Sequence, residues 1–421
     1  MSKLTQVIRI PALRRSLLAV GGMLVLFRFV AHVPVPGMNA SDISQVLEGN
    51  QFFGLLNIFS GGTLDNFSLV ALGVAPYITS SIIFQLLGMV VPSLEEMQKE
   101  ERGRQRIMQW TRLATVPLAF IQAYGLTALL SQQAPALVAS LSGWTMALAL
   151  LSMVAGTVFL MWLGELISEY RIGNGTSIII FAGIIAGLPS FLQQTFSVYT
   201  KDSLITLILF VLMVLVTIYA VVVMQEAQRN IPIQHARQIR GSRLLGAATS
   251  HLPLRLNMAG VIPIIFAISI LLLPTTVGQF LVNARTEWVK DTATWLLQVV
   301  NNQTVYGALY FVLVFAFTYF YTSVIFHPDR VAENLQKSGA FIPGIRPGQS
   351  TAMYLGWVVN RVLFAGALFL ALLAVLPLII QQFTGSANLV IGGTSILIVV
   401  AVVIDVIKQV DSQLTLHAYD V

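Results

Sequence analysis

The sequence predicts an all-α integral membrane protein of ten transmembrane helices arranged as two inverted five-helix halves. Three observations carry this expectation. Of 421 residues, 56% are hydrophobic and only 10% charged, with a mean hydropathy of +0.80, more apolar material than a soluble core of this size requires. The apolar residues fall into runs of about 20, the length of a helix that crosses a bilayer and too long for barrel strands. Two six-residue phrases also recur in order: Gly73-Val74-Ala75-Pro76-Tyr77-Ile78 is echoed by Gly260-Val261-Ile262-Pro263-Ile264-Ile265, and Gly175-Thr176-Ser177-Ile178-Ile179-Ile180 by Gly393-Thr394-Ser395-Ile396-Leu397-Ile398. Such register marks a duplicated membrane unit, whose working site lies where the copies meet.

The first span, 16–33, follows Lys3, Arg9, Arg14 and Arg15 and is followed by no small-residue cleavage site, so it reads as a retained anchor with a cytoplasmic amino terminus. After it, Phe52 to Phe59 is apolar but too short to span, and Ser60-Gly61-Gly62 supplies a hinge. This piece reads either as a re-entrant stopper beside a pore or as an interfacial segment lying on the outer surface. Span two, 67–91, carries the first phrase. The stretch 92–109 interleaves Glu95, Glu96, Glu100 and Glu101 with Lys99, Arg102, Arg104 and Arg106 and reads as a solvated loop. Spans 110–130, 144–167 and 176–192 complete an amino-terminal half, residues 1–192. The carboxy-terminal half, 193–421, holds spans 203–224, 258–281, 304–325, 354–381 and 394–410. Its segments 225–256 and 327–354, the latter with the turn-rich Pro343-Gly344-Ile345-Arg346-Pro347-Gly348, are long enough to project from the membrane.

Basic residues give an independent orientation, because positive loops resist translocation. Arg102, Arg104, Arg171, Arg229, Arg255, Arg330 and Lys337 lie on the side of the amino terminus, whereas the opposite loops hold only Lys201, Arg285 and Lys290. An even number of spans returns the carboxyl terminus to the cytoplasm. An odd number in each half inverts one half relative to the other.

Chemistry is sparse. The chain has no cysteine, its five histidines lie far apart, and no glycine loop ends in Lys-Ser or Lys-Thr. No enzyme activity, cofactor or metal is expected. Pro76 and Pro263 are expected to break their spans and free the carbonyls of Leu72 and Ala259, either as locally repaired kinks or beside a hydrated path. Val74 with Ile78, Ile180 with Ile184, and Ile265 and Ile398 either pack and face lipid, as isoleucine usually does in a membrane helix, or form an apolar constriction that closes a pore by dewetting. Arg28, Glu165 and Asp405 lie towards span ends, with His32 near a boundary, and read as snorkelling or helix-pairing groups rather than ion-coupling sites. Gly183 and Gly187 are expected to allow close helix packing.

The motifs Phe59-Ser60-Gly61-Gly62, Ala71 to Ile78, Gly173-Asn174-Gly175-Thr176-Ser177, Asn257 to Pro263 and Ser338 to Gly348 resemble those of a known family, the bacterial SecY subunits of protein-conducting channels, and the likeness runs along essentially the whole chain. The resemblance implies an hourglass pore between the halves, opening across the membrane for secreted chains and sideways into lipid. It implies a pore ring of Val74, Ile78, Ile180, Ile184, Ile265 and Ile398, and a plug of Phe53, Leu55, Leu56, Asn57, Ile58, Phe59, Gly61 and Gly62. It implies a lateral gate at Thr79, Ile82, Gln85 and Leu273, and a surface around Arg237, Arg240, Arg243 and Arg346 that docks the ribosome large subunit or the SecA motor ATPase. Partners implied are SecE, SecG, SecA, the ribosome, the secretory polypeptide, the lipid bilayer of the plasma membrane, YidC and SecD/SecF. The chain departs from the family pattern at Val74, where isoleucine is frequent, and at Ser242, where many relatives carry a second arginine. Two other classes share its features: a secondary transporter with a midplane solute site, and a scaffold that only recruits ribosomes.

Overall fold

The computed structural model describes residues 10–37, 60, 63–64, 67–133, 143–197, 204–235, 239–240, 243–244, 249–282, 286–384 and 387–419. Its helices are α1 (Pro11–Val30), α2 (Ala75–Val90), α3 (Pro92–Lys99), α4 (Glu101–Gln133), α5 (Gly143–Glu169), α6 (Gly175–Ser197), α7 (Leu204–Glu226), α8 (Ile262–Leu281), α9 (Glu287–Asn301), α10 (Gln303–Ile325), α11 (Pro328–Lys337), α12 (Gln349–Thr384) and α13 (Ala387–Tyr419). A helix overlies each of the ten expected spans. Among the described residues, three stretches are long and apolar enough to cross a membrane by length and composition: Gly143–Glu169, Gln303–Lys337 and Gln349–Leu376. The pair Ala75–Val90 and Pro92–Gln98, bent by 112°, joins them as a broken span. Gly175–Pro189, Val214–Glu226 and Ile262–Thr275 are apolar but shorter.

The stretch expected as a solvated loop, 92–109, is helical instead: it forms α3 and the start of α4. Glutamate, lysine, arginine and glutamine are good helix formers, and their charges point outward as readily from a helix as from a loop. Gly103 allows the turn between the two, since a Cβ there would overlap the Met97 carbonyl.

The prolines also differ from expectation. Pro76 and Pro263 do not interrupt their helices; each lies in the first turn of α2 or α8, where its missing amide leaves no bond unmade. The two helix starts are near copies of each other. Gly73 has φ +58° and Gly260 φ +64°, a conformation that costs other residues roughly 1–2 kcal/mol. The valine that follows caps the helix, with φ −95°, ψ 2° at Val74 and φ −90°, ψ −9° at Val261. The Val74 carbonyl accepts from Ile78 N at 3.0 Å and the Val261 carbonyl from Ile265 N at 3.2 Å.

The segments expected to project into the cytoplasm add strand structure to a fold expected to be all-α. Strands β1 (Gln228–His235) and β4 (Thr249–Arg255) form an antiparallel hairpin, with β2 (Ile239–Arg240) and β3 (Arg243–Leu244) paired nearer its tip. A short strand after α11, β5 (Ala340–Phe341), pairs with β1 through Gln234 and His235, giving a sheet of order β4-β1-β5. Ile231, Leu254 and Ile342 pack on Leu355, Val358, Val359 and Val362 of α12. The two segments expected to project separately are therefore one sheet seated on the start of α12.

Candidate functional site

Each of the four repeated phrases ends on an isoleucine: Ile78 on α2, Ile180 on α6, Ile265 on α8 and Ile398 on α13. Asn174 places Ile180 by capping α6, its Oδ1 accepting from Ser177 N at 3.2 Å. Helix α2 packs against α8, and α6 against α13, so each contact joins one half to the other. The four isoleucines with Val74 and Ile184 are at most 8% exposed and belong to one hydrophobic cluster. These side chains carry no polar atom. Wetting six of them costs on the order of 10 kcal/mol, at about 1.5–3 kcal/mol each.

On the expected gate helices, Thr79 and Ile82 are buried, whereas Gln85 and Leu273 are half-buried. Gln85 Nε2 donates to Ser81 Oγ at 2.9 Å, while its buried Oε1 has no hydrogen-bond partner. Ser80 Oγ donates to the Thr111 carbonyl at 2.8 Å and ties α2 to α4. Phe266 of α8 meets Phe317 and Tyr321 of α10 edge-on, at 6.0 and 5.8 Å between ring centroids. Each expected gate helix is thus tied to its own half, and the two halves touch along α2 and α8, along α4 and α8, and along α6 and α13.

The expected plug residues Phe53 to Phe59, Gly61 and Gly62 lie outside the described residues. At its edge, Ser60 is buried, and Thr63 Oγ1 lies 2.9 Å from the Ser60 carbonyl and 2.8 Å from that of Val70. This holds the chain in a compact turn just before α2. Of the docking arginines, Arg240 and Arg243 are register partners of β2 and β3 near the hairpin tip, and Arg237 lies outside the described residues. Arg346 is exposed on the turn between β5 and α12, with its carbonyl accepting from Thr351 Oγ1 at 2.9 Å.

Gly156 on α5 abuts the Leu69 carbonyl, and Gly175 abuts the Gly164 carbonyl, so closely that a Cβ would overlap either oxygen. Gly175 opens a repeated phrase, whereas nothing in local sequence distinguishes Gly156 from other membrane glycines. Gly187 is the opposite case: a Cβ there would meet nothing within 4 Å, so the expected GxxxG contact is not close at that residue. Glu165 pairs with Arg112 Nε at 2.7 Å between α5 and α4, the helix pairing expected of it. Lys408 of α13 bonds Glu226 at 3.0 Å and the Gln225 carbonyl, and Asn257 Nδ2 donates to the Gly260 carbonyl at 3.0 Å, bracing the turn that leads into α8.

Residues 68–407 match the SecY family model. The protein translocase subunit SecY of Halalkalibacterium halodurans is 41% identical over 427 residues, covering 99% of this chain and 98% of that one. That of Vibrio cholerae is 42% identical over 417 residues, covering 97% and 93%. Among solved structures, a protein-conducting channel aligns with a TM-score of 0.65 at 18% identity, over 93% of this chain and 90% of that one. Sec61 in the canine ribosome-channel complex from the endoplasmic reticulum aligns at 0.62 and 16%, with the same coverage. At these identities the structural likeness is one of fold.

Proposed function

The chain belongs to the SecY family, and from that membership we infer its action: it is the subunit of a protein-conducting channel that passes unfolded polypeptides across the membrane and releases apolar segments sideways into lipid. The observation that supports the reading is the burial of Val74, Ile78, Ile180, Ile184, Ile265 and Ile398, drawn from both halves, in the main hydrophobic core. Such a ring seals by dewetting and offers a passing chain no hydrogen bond to grip. Sideways exit runs between α2 and α8, past Thr79, Ile82, Gln85 and Leu273. Partition then sorts the cargo, since a leucine-like residue gains a few tenths of a kcal/mol at the membrane centre and a charged one costs about 3.

The drive comes from outside the chain. Arg240 and Arg243 lie on the β2–β3 pair and Arg346 on the turn before α12, basic residues of the same two segments that build the joint sheet and suited to ribosomal RNA or to the SecA motor. SecE and SecG complete the channel, with YidC and SecD/SecF as further partners, in a plasma membrane with both chain termini in the cytoplasm. The halves 1–192 and 193–421 move as the two jaws of the channel.

The deciding experiment is reconstitution into vesicles with SecE, SecG, SecA and a secretory precursor. Protease-protected precursor is expected. Saturable solute flux without protection would identify a transporter, and ribosome binding without protection a scaffold.

Two predictions refine the parts. Deleting 53–59 is expected to raise the resting ion conductance of the channel at least about tenfold in planar bilayers, because the aliphatic ring is left as the sole barrier; unchanged conductance assigns the segment to the outer surface instead. Arg346→Glu is expected to lower SecA- or ribosome-dependent binding and export by about tenfold through charge reversal. Thermal unfolding should not change, since the arginine side chain is exposed and the turn is held by its backbone. Full binding and export by this variant would remove Arg346 from the docking surface.

A further inference from the structure

We propose that α9 lies in the headgroup layer of the outer leaflet, with Trp288 and Trp295 inserted into lipid, and that it anchors the outer end of α8 to the bilayer surface. At about 100° per residue, α9 has three faces. One is buried: Ala293 and Val300, flanked by Leu296 and Leu297. The second carries exposed Glu287, Lys290, Asp291 and Gln298. The third carries Trp288, 71% exposed, and Trp295, 61% exposed, about two turns apart with Thr292 between them. Two-faced helices need only a core and water. A third, aromatic face beside a polar one needs a boundary where one side is wet and the other apolar, and indole rings concentrate in the headgroup layer for that reason.

The connections place α9 at such a boundary. It follows α8 and precedes α10, and α10 starts one residue beyond its end, where Asn302 Oδ1 accepts from Thr304 N at 3.1 Å and Val305 N at 3.4 Å. The orientation from the basic residues puts this junction on the outer side. Val277 on α8 and Leu309 and Val312 on α10 are exposed, so both helices that α9 packs against turn apolar side chains outward, as lipid-facing helices do. Those apolar neighbours select lipid over a protein partner. The coupling to α8 is direct, because a Cβ on Gly278 would stand 3.1 Å from Leu297 Cγ and 3.2 Å from Leu296 Cδ2, leaving no space between the helices there.

Placing α9 in the headgroup layer requires only that α8 and α10 cross the bilayer, not that the chain conducts polypeptides, so a failed translocation assay leaves it standing. Because the chain has no cysteine, Trp288→Cys, Trp295→Cys and Asp291→Cys each give a unique site for a spin label in the reconstituted channel. Labels at 288 and 295 are expected to collide with a water-soluble nickel chelate about threefold less often than the label at 291, and with membrane-dissolved oxygen more often. Thr292→Cys keeps both tryptophans and repeats the measurement if either tryptophan variant fails to reconstitute. Equal access to the chelate at all sites overturns the proposal, as does shielding from both reagents, which would mean a protein covers this face.

Discussion

Joining cysteines introduced at Thr79 and Leu273 is expected to abolish export of a secretory precursor, and reducing or cleaving the link to restore it. The pair is the only thiol pair in the molecule, so no other crosslink within the chain competes. Helices α2 and α8 touch, while α2 is tied to α4 by Ser80 and α8 to α10 by Phe266. In the proposed opening, separation of the halves moves α8 away from both α2 and α4. A bound partner shifts such an equilibrium only by its differential affinity for the two states, typically about 1–3 kcal/mol, which cannot open a covalent bond. Protected precursor should fall at least about tenfold, to the level of vesicles without the channel, while SecA and ribosome binding at the cytoplasmic sheet remain. Unimpaired export with the link verified by mass spectrometry would reject α2 and α8 as the gate.

What the sequence made legible follows the range of the forces involved. The positions of the helices were readable because burial in lipid demands about 20 apolar residues in a row, and the pairing of Glu165 because a charge in a span must find a partner or water. The start of α2 was not readable from hydropathy, since Leu69 to Val74 are as apolar as the helix that follows. The better signal was the local chemistry of Gly73 and Pro76, a left-handed turn followed by a proline suited to a first helical turn. Strand β5 escaped because it is only two residues long and its partner β1 is remote in sequence, and the alternation of Ile231 and Ile233 in β1 is masked by Pro232 between them. The aliphatic ring stood between these cases. Ile180 or Ile398 alone is indistinguishable from lipid-facing filler; only their shared place at the end of a repeated phrase marked them, and both are buried in the main core rather than exposed.

If those isoleucines form the seal, polarity rather than size should control the leak. Ile180→Asn with Ile398→Asn places two amides where each side chain is now fully buried, on helices α6 and α13 that pack across the halves. An amide left without a hydrogen bond costs about 1–3 kcal/mol, and the readiest relief is water drawn into the constriction. Resting ion conductance should rise by about an order of magnitude or more, as the dewetting barrier falls by a comparable energy. Ile180→Leu with Ile398→Leu keeps volume and apolarity, costs less than about 1.5 kcal/mol at each site, and should leave conductance unchanged. The contrast separates a seal from ordinary packing. If the isoleucines only pack, both variants lose stability according to volume and polarity, and neither conducts more at rest. A reconstituted asparagine variant that folds, exports precursor and holds the resting barrier of the parent would remove the aliphatic cluster as the seal.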